Sequence, residues 1–101
     1  MNRRDFIISK LNNLISWIEK DKIVSKDNPL LVELKSRSTN FDNVLQFISY
    51  ISKFADKEGN IADNKIEELL SKFKMSIKDF KEDHIDKLKK YLKCFIKVVN
   101  Y

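Results

Sequence analysis

The sequence predicts an all-α fold, a compact bundle of about five helices with one or two of them short, forming a single helical-bundle domain over residues 1–101. Three observations carry that expectation. Apolar residues recur with a period near 3.6 in several windows along the chain. One Gly and one Pro are too few turn formers for an all-β fold. Hydrophobic residues at 43% beside charged residues at 35% supply both a packed interior and a solvated exterior. A chain of this length removes roughly two-thirds of its unfolded surface from water on folding, so a core forms without staples.

Ile7, Leu11, Leu14 and Ile18 are spaced i, i+4, i+7, i+11, which places one stripe on a first helix from about Arg3 to Asp21, widened by Ile8 and Ile15. Asn28 then caps a short second helix. Pro29 takes its first position, where a missing N–H costs nothing, and Leu30, Leu31 and Leu34 form its apolar side. Residues 36–40, a Ser, Arg, Thr and Asn cluster, read as a loop. Thr39 or Asn40 caps a third helix, in which Phe41, Val44, Leu45, Phe47, Ile48, Ile51, Phe54 and Ala55 make it the expected most buried element. Gly59 is expected to close it in the left-handed conformation.

Asp63 is the expected cap of a fourth helix, with Glu67 and Glu68 toward the positive end of its dipole and Ile66, Leu69, Leu70 and Phe73 on its buried side. Ser76 and Asp79 have capping-box spacing, which predicts one further turn bearing Ile77 and Phe80. From about Asp83, Ile85, Leu88, Leu92, Phe95, Ile96 and Val99 form the stripe of a last helix that continues toward the C-terminus.

Charge is uneven along the chain. Residues 71–101 hold nine Lys against four acids, which by itself equals the net charge of +5. Residues 1–37 contribute +3 and residues 38–70 contribute −3. A basic end on an otherwise balanced helical chain suits an anionic surface or an acidic partner. Lys90, Lys93 and Lys97 share one outward face of the last helix, with Lys89 at the edge of its apolar stripe. Lys72, Lys74, Lys78 and Lys81, from the preceding turn, extend that patch.

Phe6, Lys10, Asn13 and Trp17 lie in a line beside the main stripe of the first helix, so two large aromatics flank two polar side chains. They are partner-binding candidates if exposed, and core if another helix, such as the short second one, covers them. Tyr50, Tyr91, Val98 and Tyr101 also fall at or beyond the edges of their stripes.

Little in the sequence favours catalysis. A chain with one Gly has no Gly-rich phosphate loop, and no Ser sits in a Gly-x-Ser-x-Gly elbow. His84 and Cys94 are the lone His and Cys, ten residues apart on one expected helix, roughly 15 Å along its axis. Asp79, Asp83 and Asp86 near His84 read as caps rather than as a metal cluster, and Cys94 as an ordinary small residue at the polar border. Residues 54–65 invite comparison with a calcium-binding EF-hand loop, but Phe54 stands at its first ligand position and Lys65 at its twelfth. The stretch Phe54-Ala55-Asp56-Lys57-Glu58-Gly59-Asn60-Ile61, with Asp63 to Leu70 after it, resembles the acidic interhelical turn of TerB-type tellurite-resistance domains. A second acidic motif is absent, and no function follows from the likeness.

The expected function is non-enzymatic: a small helical protein acting through protein–protein contacts as a subunit, adaptor or inhibitor, with no cofactor and no metal. The alternative is a nucleic-acid-associated subunit whose Lys89, Lys90, Lys93 and Lys97, joined by Lys74 and Lys78, track a phosphate backbone of RNA or DNA. A homodimer through the same aromatics is a further option. The lone Cys, the absence of a signal-peptide run and the absence of a membrane-spanning apolar stretch predict an intracellular protein, cytoplasmic or in the host cytoplasm for a viral chain.

Overall fold

The computed structural model describes residues 2–100. They form the expected all-α bundle: α1 (Arg3–Lys20), α2 (Pro29–Arg37), α3 (Phe41–Ser52), α4 (Asp63–Ser71), a single 3₁₀ turn at Ile77–Asp79, and α5 (His84–Val99). Asparagine starts the first three helices. The Asn2 side chain accepts from the Asp5 N–H, that of Asn28 from Leu30 and that of Asn40 from Asp42, at 2.8, 2.9 and 2.9 Å. Each bond satisfies a donor that the first turn of a helix leaves orphaned.

One cluster of buried apolar side chains runs through the bundle. Leu11, Leu14 and Ile18 enter it from α1, Leu31 and Leu34 from α2, Phe47 and Ile51 from α3, Ile66 and Leu70 from α4, and Leu88, Leu92 and Phe95 from α5. Each such side chain stabilises the fold by about 1.5–3 kcal/mol relative to exposure. The radius of gyration, 12.7 Å, is that of a close-packed chain of this length, for which about 13 Å is expected. α1 is the hub. It packs most extensively on α5 and also on α2 and α3. The Arg3 guanidinium donates to the Val99 carbonyl at 2.5 Å, while Tyr91 meets Trp17 and Asp21, so α1 and α5 run antiparallel.

α3 ends seven residues before Gly59, at Ser52, and is not the most buried element. Leu45 is 41% exposed, and Val44, Phe47 and Ile51 are the buried residues of α3, whereas α5 buries His84, Leu88, Leu92, Phe95, Ile96 and Val99. The chain leaves α3 through tightened turns in which Lys53 donates to Tyr50 and Phe54 to Ile51. A loop then closes on itself: Ala55 and Ile61 pair as an isolated antiparallel bridge, and the Asp56 N–H donates to the Asn60 carbonyl at 2.9 Å. Gly59 sits inside this loop at φ +85°. A Cβ there would stand 3.4 Å from the Lys93 carbonyl of α5, so a residue without a side chain lets the loop seat on α5 without backbone strain.

Two helix ends show what the sequence concealed. α1 and α4 close in the same way: Ile23 donates to Ile18 and Lys22 to Glu19, and likewise Met75 donates to Leu70 and Lys74 to Ser71. This is the Schellman arrangement, with buried Ile23 and Met75 folding back over buried Ile18 and Leu70. Its left-handed position, where glycine is usual, is held by Lys22 at φ 52° and Lys74 at φ 56°.

At the start of α4 the N-cap is Ala62, not Asp63, and Ala62 makes no side-chain cap bond. Asp63 is drawn away to α5, where its carboxylate accepts from the Lys89 ammonium at 2.6 Å. The capping box at Ser76 and Asp79 is formed, with the Ser76 N–H donating to the Asp79 carboxylate at 2.7 Å.

Candidate functional site

The row Phe6, Lys10, Asn13 and Trp17 lies along the flank of α1 that adjoins α5. α5, rather than α2, supplies the cover. The Trp17 ring stacks on Tyr91 with centroids 5.1 Å apart and planes tilted by 33°, and the Tyr91 hydroxyl donates to the Asp21 carboxylate. The Lys10 ammonium lies 5.2 Å from the Phe6 ring centroid, a cation–π contact within one helix face. Phe6, Lys10, Trp17 and Tyr91 are all half-buried, and Asn13 is exposed. On the facing helix Cys94 and Val98 are half-buried as well. The outcome is a shallow seam of apolar and amphipathic side chains between two rigid helices. Tyr101 lies outside the described residues.

The lysine face of α5 is less uniform than its spacing implies. Lys90 and Lys97 are exposed and, among the described residues, form no ion pair. Lys89 has only 23% of its side chain exposed and is committed to Asp63, whose carboxyl that hydrogen bond and charge hold below the ordinary value. Lys93 is half-buried under the loop at Gly59, and its charge adds a small part to the lowering of Asp56. The main cause of that lowering is the backbone: the Asp56 carboxylate accepts from the N–H groups of Asn60 and Glu58, each at 2.9 Å. A depression of about 430 Å³ between the loop and α5 is lined by Asn60, Ile61, Lys89, Lys90 and Lys93.

Two of the lysines before α5 line depressions elsewhere on the surface. Lys72 lines another depression with Glu33, Arg37 and Tyr50, and Lys81 lines one at the N-terminal end of α5. Lys74 and Lys78 are exposed on the connection between α4 and α5 and share neither of the depressions that the α5 lysines line.

A feature that sequence reading treated as capping alone is a depression of about 520 Å³ at that end of α5, between the α1–α2 connection and the 3₁₀ turn. Lys22, Lys26, Lys81 and His84 line it, with Glu19 and Asp79. His84 is 8% exposed and is the buried polar residue of the core. No group of three or more His, Cys, Asp or Glu side chains is placed to hold a metal ion among the described residues, and no helix there is long and apolar enough to cross a membrane. α5 is continuous from His84 to Val99, so the imidazole and the Cys94 thiol stay about 15 Å apart along its axis.

Comparison with family models, with curated proteins and with solved structures finds no match to this chain.

Proposed function

We propose that this chain works by binding another protein along the α1–α5 seam, as a small subunit, adaptor or inhibitor of a larger complex, and that it carries no catalysis of its own. The observation behind this reading is the Trp17–Tyr91 pair, two large rings from different helices stacked at 5.1 Å and left half-exposed in line with Phe6. Such rings bring much contact area at little entropic cost and concentrate at the energetic centres of interfaces. Their helices are fixed by the core, so the surface is organised before a partner arrives. The lone Cys supports a reducing, intracellular setting for that encounter.

Asn13 gives the clean test because it is exposed in the middle of the row. Asn13→Arg should leave the circular-dichroism spectrum and unfolding midpoint of the chain unchanged while weakening capture of its partner from the native host by roughly thirtyfold, as for a central interface position. Undiminished capture would count against the seam. Sedimentation of the pure chain separates a second copy of itself from a foreign partner.

A second reading rests on exposed Lys90 and Lys97 with half-buried Lys93 beside them. Two or three available cations would give a salt slope of only about −2 to −3 on duplex DNA, a weak association that disappears near physiological salt. Titration of labelled RNA and DNA at two salt concentrations checks it, with Lys90→Gln and Lys97→Gln each expected to reduce the slope by about one.

A further inference from the structure

The α1–α5 seam carries a charge pattern as well as an aromatic one. Lys20 stands three residues beyond Trp17, continues the row of Phe6, Lys10, Asn13 and Trp17, and is exposed. On α5, Lys87 precedes Tyr91 by one turn, while Lys90 and Lys97 flank Cys94 at i−4 and i+3. The other charges of the two helices are turned elsewhere: Arg4 lies on Phe41, Glu19 pairs with Lys35, Lys89 with Asp63, and Lys93 sits under the loop at Gly59. Along the seam Arg3, Lys10, Lys20, Lys87, Lys90 and Lys97 therefore face the two cap residues Asp21 and Asp83. Asp21 accepts from the Tyr91 hydroxyl, and Asp83 has the Lys87 ammonium at 3.9 Å. Six cations less two acids leave +4, and adding Asp5 and Asp86 from the outward lines of the helices still leaves +2.

That excess decides among occupants. A second copy of the chain would set it against itself. A nucleic acid gains most from open ring faces, whereas Trp17 and Tyr91 each cover a face of the other. A lipid surface favours aromatic rings that reach into the headgroup region, and these two are half-buried between their helices. The shape is equally selective. The antiparallel register set by the Trp17–Tyr91 and Arg3–Val99 contacts brings Asn13 and Cys94 to the same level, so two small side chains stand midway between the Trp17–Tyr91 end and the Phe6–Val98 end. From Phe6 to Trp17 is roughly 16 Å along the axis, about three helical turns. A seam of that length between two helices accepts a third, whose apolar anchors recur at i, i+3, i+4 and i+7.

If the seam binds a protein, its charge and shape fix what kind: we infer that the occupant is an acidic amphipathic helix of another protein, a conclusion that rests on that reading of the seam. Its apolar side chains seat over Asn13 and Cys94 between the two aromatic ends. Its carboxylates meet Lys20, Lys90 and Lys97, which are exposed and form no ion pair among the described residues.

Trp17 is the one Trp of the chain, so its emission reports on the seam directly. The full chain is titrated at low salt with a synthetic peptide of about 15 residues, free of Trp, with Leu recurring at i, i+3, i+4 and i+7 and Glu at the remaining positions. Two companion peptides carry Gln or Lys in place of Glu. The Glu peptide should shift the emission saturably, bind at least about tenfold more tightly than the Gln peptide, and weaken as salt is added. The Lys peptide should give no shift. Lys20→Glu and Lys97→Glu should each weaken the Glu peptide by roughly tenfold, while Lys53→Glu, on a depression shared with Asp56 and Lys65, should leave it unchanged. Equal binding of the Gln or Lys peptide, parent-like affinity in both seam variants, or silence toward all three peptides would each overturn the acidic partner. So would a single-stranded oligonucleotide, or vesicles of phosphatidylserine and phosphatidylcholine in equal parts, shifting Trp17 at lower concentration than the Glu peptide. None of these outcomes alters the capture measured with Asn13→Arg, so the seam and the chemistry of its partner are judged separately.

Discussion

The Tyr50 hydroxyl is buried in the side of the bundle and has no hydrogen-bond partner among the described residues, while its ring makes an edge contact with Phe54 at 5.3 Å. Burial, with a smaller contribution from Glu68, pushes its phenol above the ordinary value. An unsatisfied buried hydroxyl costs about 1–3 kcal/mol, so Tyr50→Phe should raise the urea midpoint rather than lower it. The carboxylates of Asp56 and Asp63 are opposite cases. Both are held below the ordinary carboxyl value, by the Asn60 backbone and by Lys89 respectively, so the folded state favours their ionised form. Their contribution is therefore present above the unfolded-state pKa and is lost as pH falls through the lower folded value. Relative to the intrinsic exchange rate at each pH, the protection of the Glu58 and Asn60 amides should fall on acidification below about pH 4, before the core opens. His84 shows how far spacing reaches at this scale. Its place beside three aspartates was visible in sequence, but the lysines that share its depression come from other segments, and only folding brings them near.

At the scale of the element, helix periodicity carried most of the fold. Ile7, Leu11, Leu14 and Ile18 are buried as their spacing requires, and Asn28, Asn40 and the Ser76–Asp79 pair cap where the sequence places them. Helix ends were harder to read, because a left-handed residue is a demand of the backbone that any side chain can meet at a cost. Gly59 advertised such a position and was read as the end of α3, when a loop seated against α5 uses it. Lys22 and Lys74 occupy true helix-ending positions and give no sign in sequence. A side chain in that conformation costs about 1–2 kcal/mol, partly offset by the greater freedom of glycine in the unfolded chain. Lys74→Gly should thus stabilise the protein by about 0.5–1 kcal/mol, read as a higher denaturant midpoint with an unchanged slope. The same limit applies to the basic face. The spacing of Lys89, Lys90, Lys93 and Lys97 was legible, but the pairing of Lys89 with Asp63, 26 residues away, is tertiary and halves the charge the face can offer with the partial burial of Lys93.

For the molecule as a whole, α1 is the axle on which α2, α3 and α5 are mounted. Acids from the middle of the chain answer lysines of α5, Asp63 at Lys89 and Asp56 at Lys93. The antiparallel pairing of α1 with α5 also brings Arg3 into direct contact with the Val99 carbonyl. Two points near opposite extremes of the sequence are therefore spatial neighbours, and the backbone is almost a closed ring. A few Gly and Ser residues joining those extremes, with new termini cut at the exposed tip between Lys57 and Glu58, should yield a permuted chain with the same helical spectrum and a cooperative thermal transition. Such a ring would let the molecule be inserted into, or fused within, another polypeptide by a loop rather than by its tails.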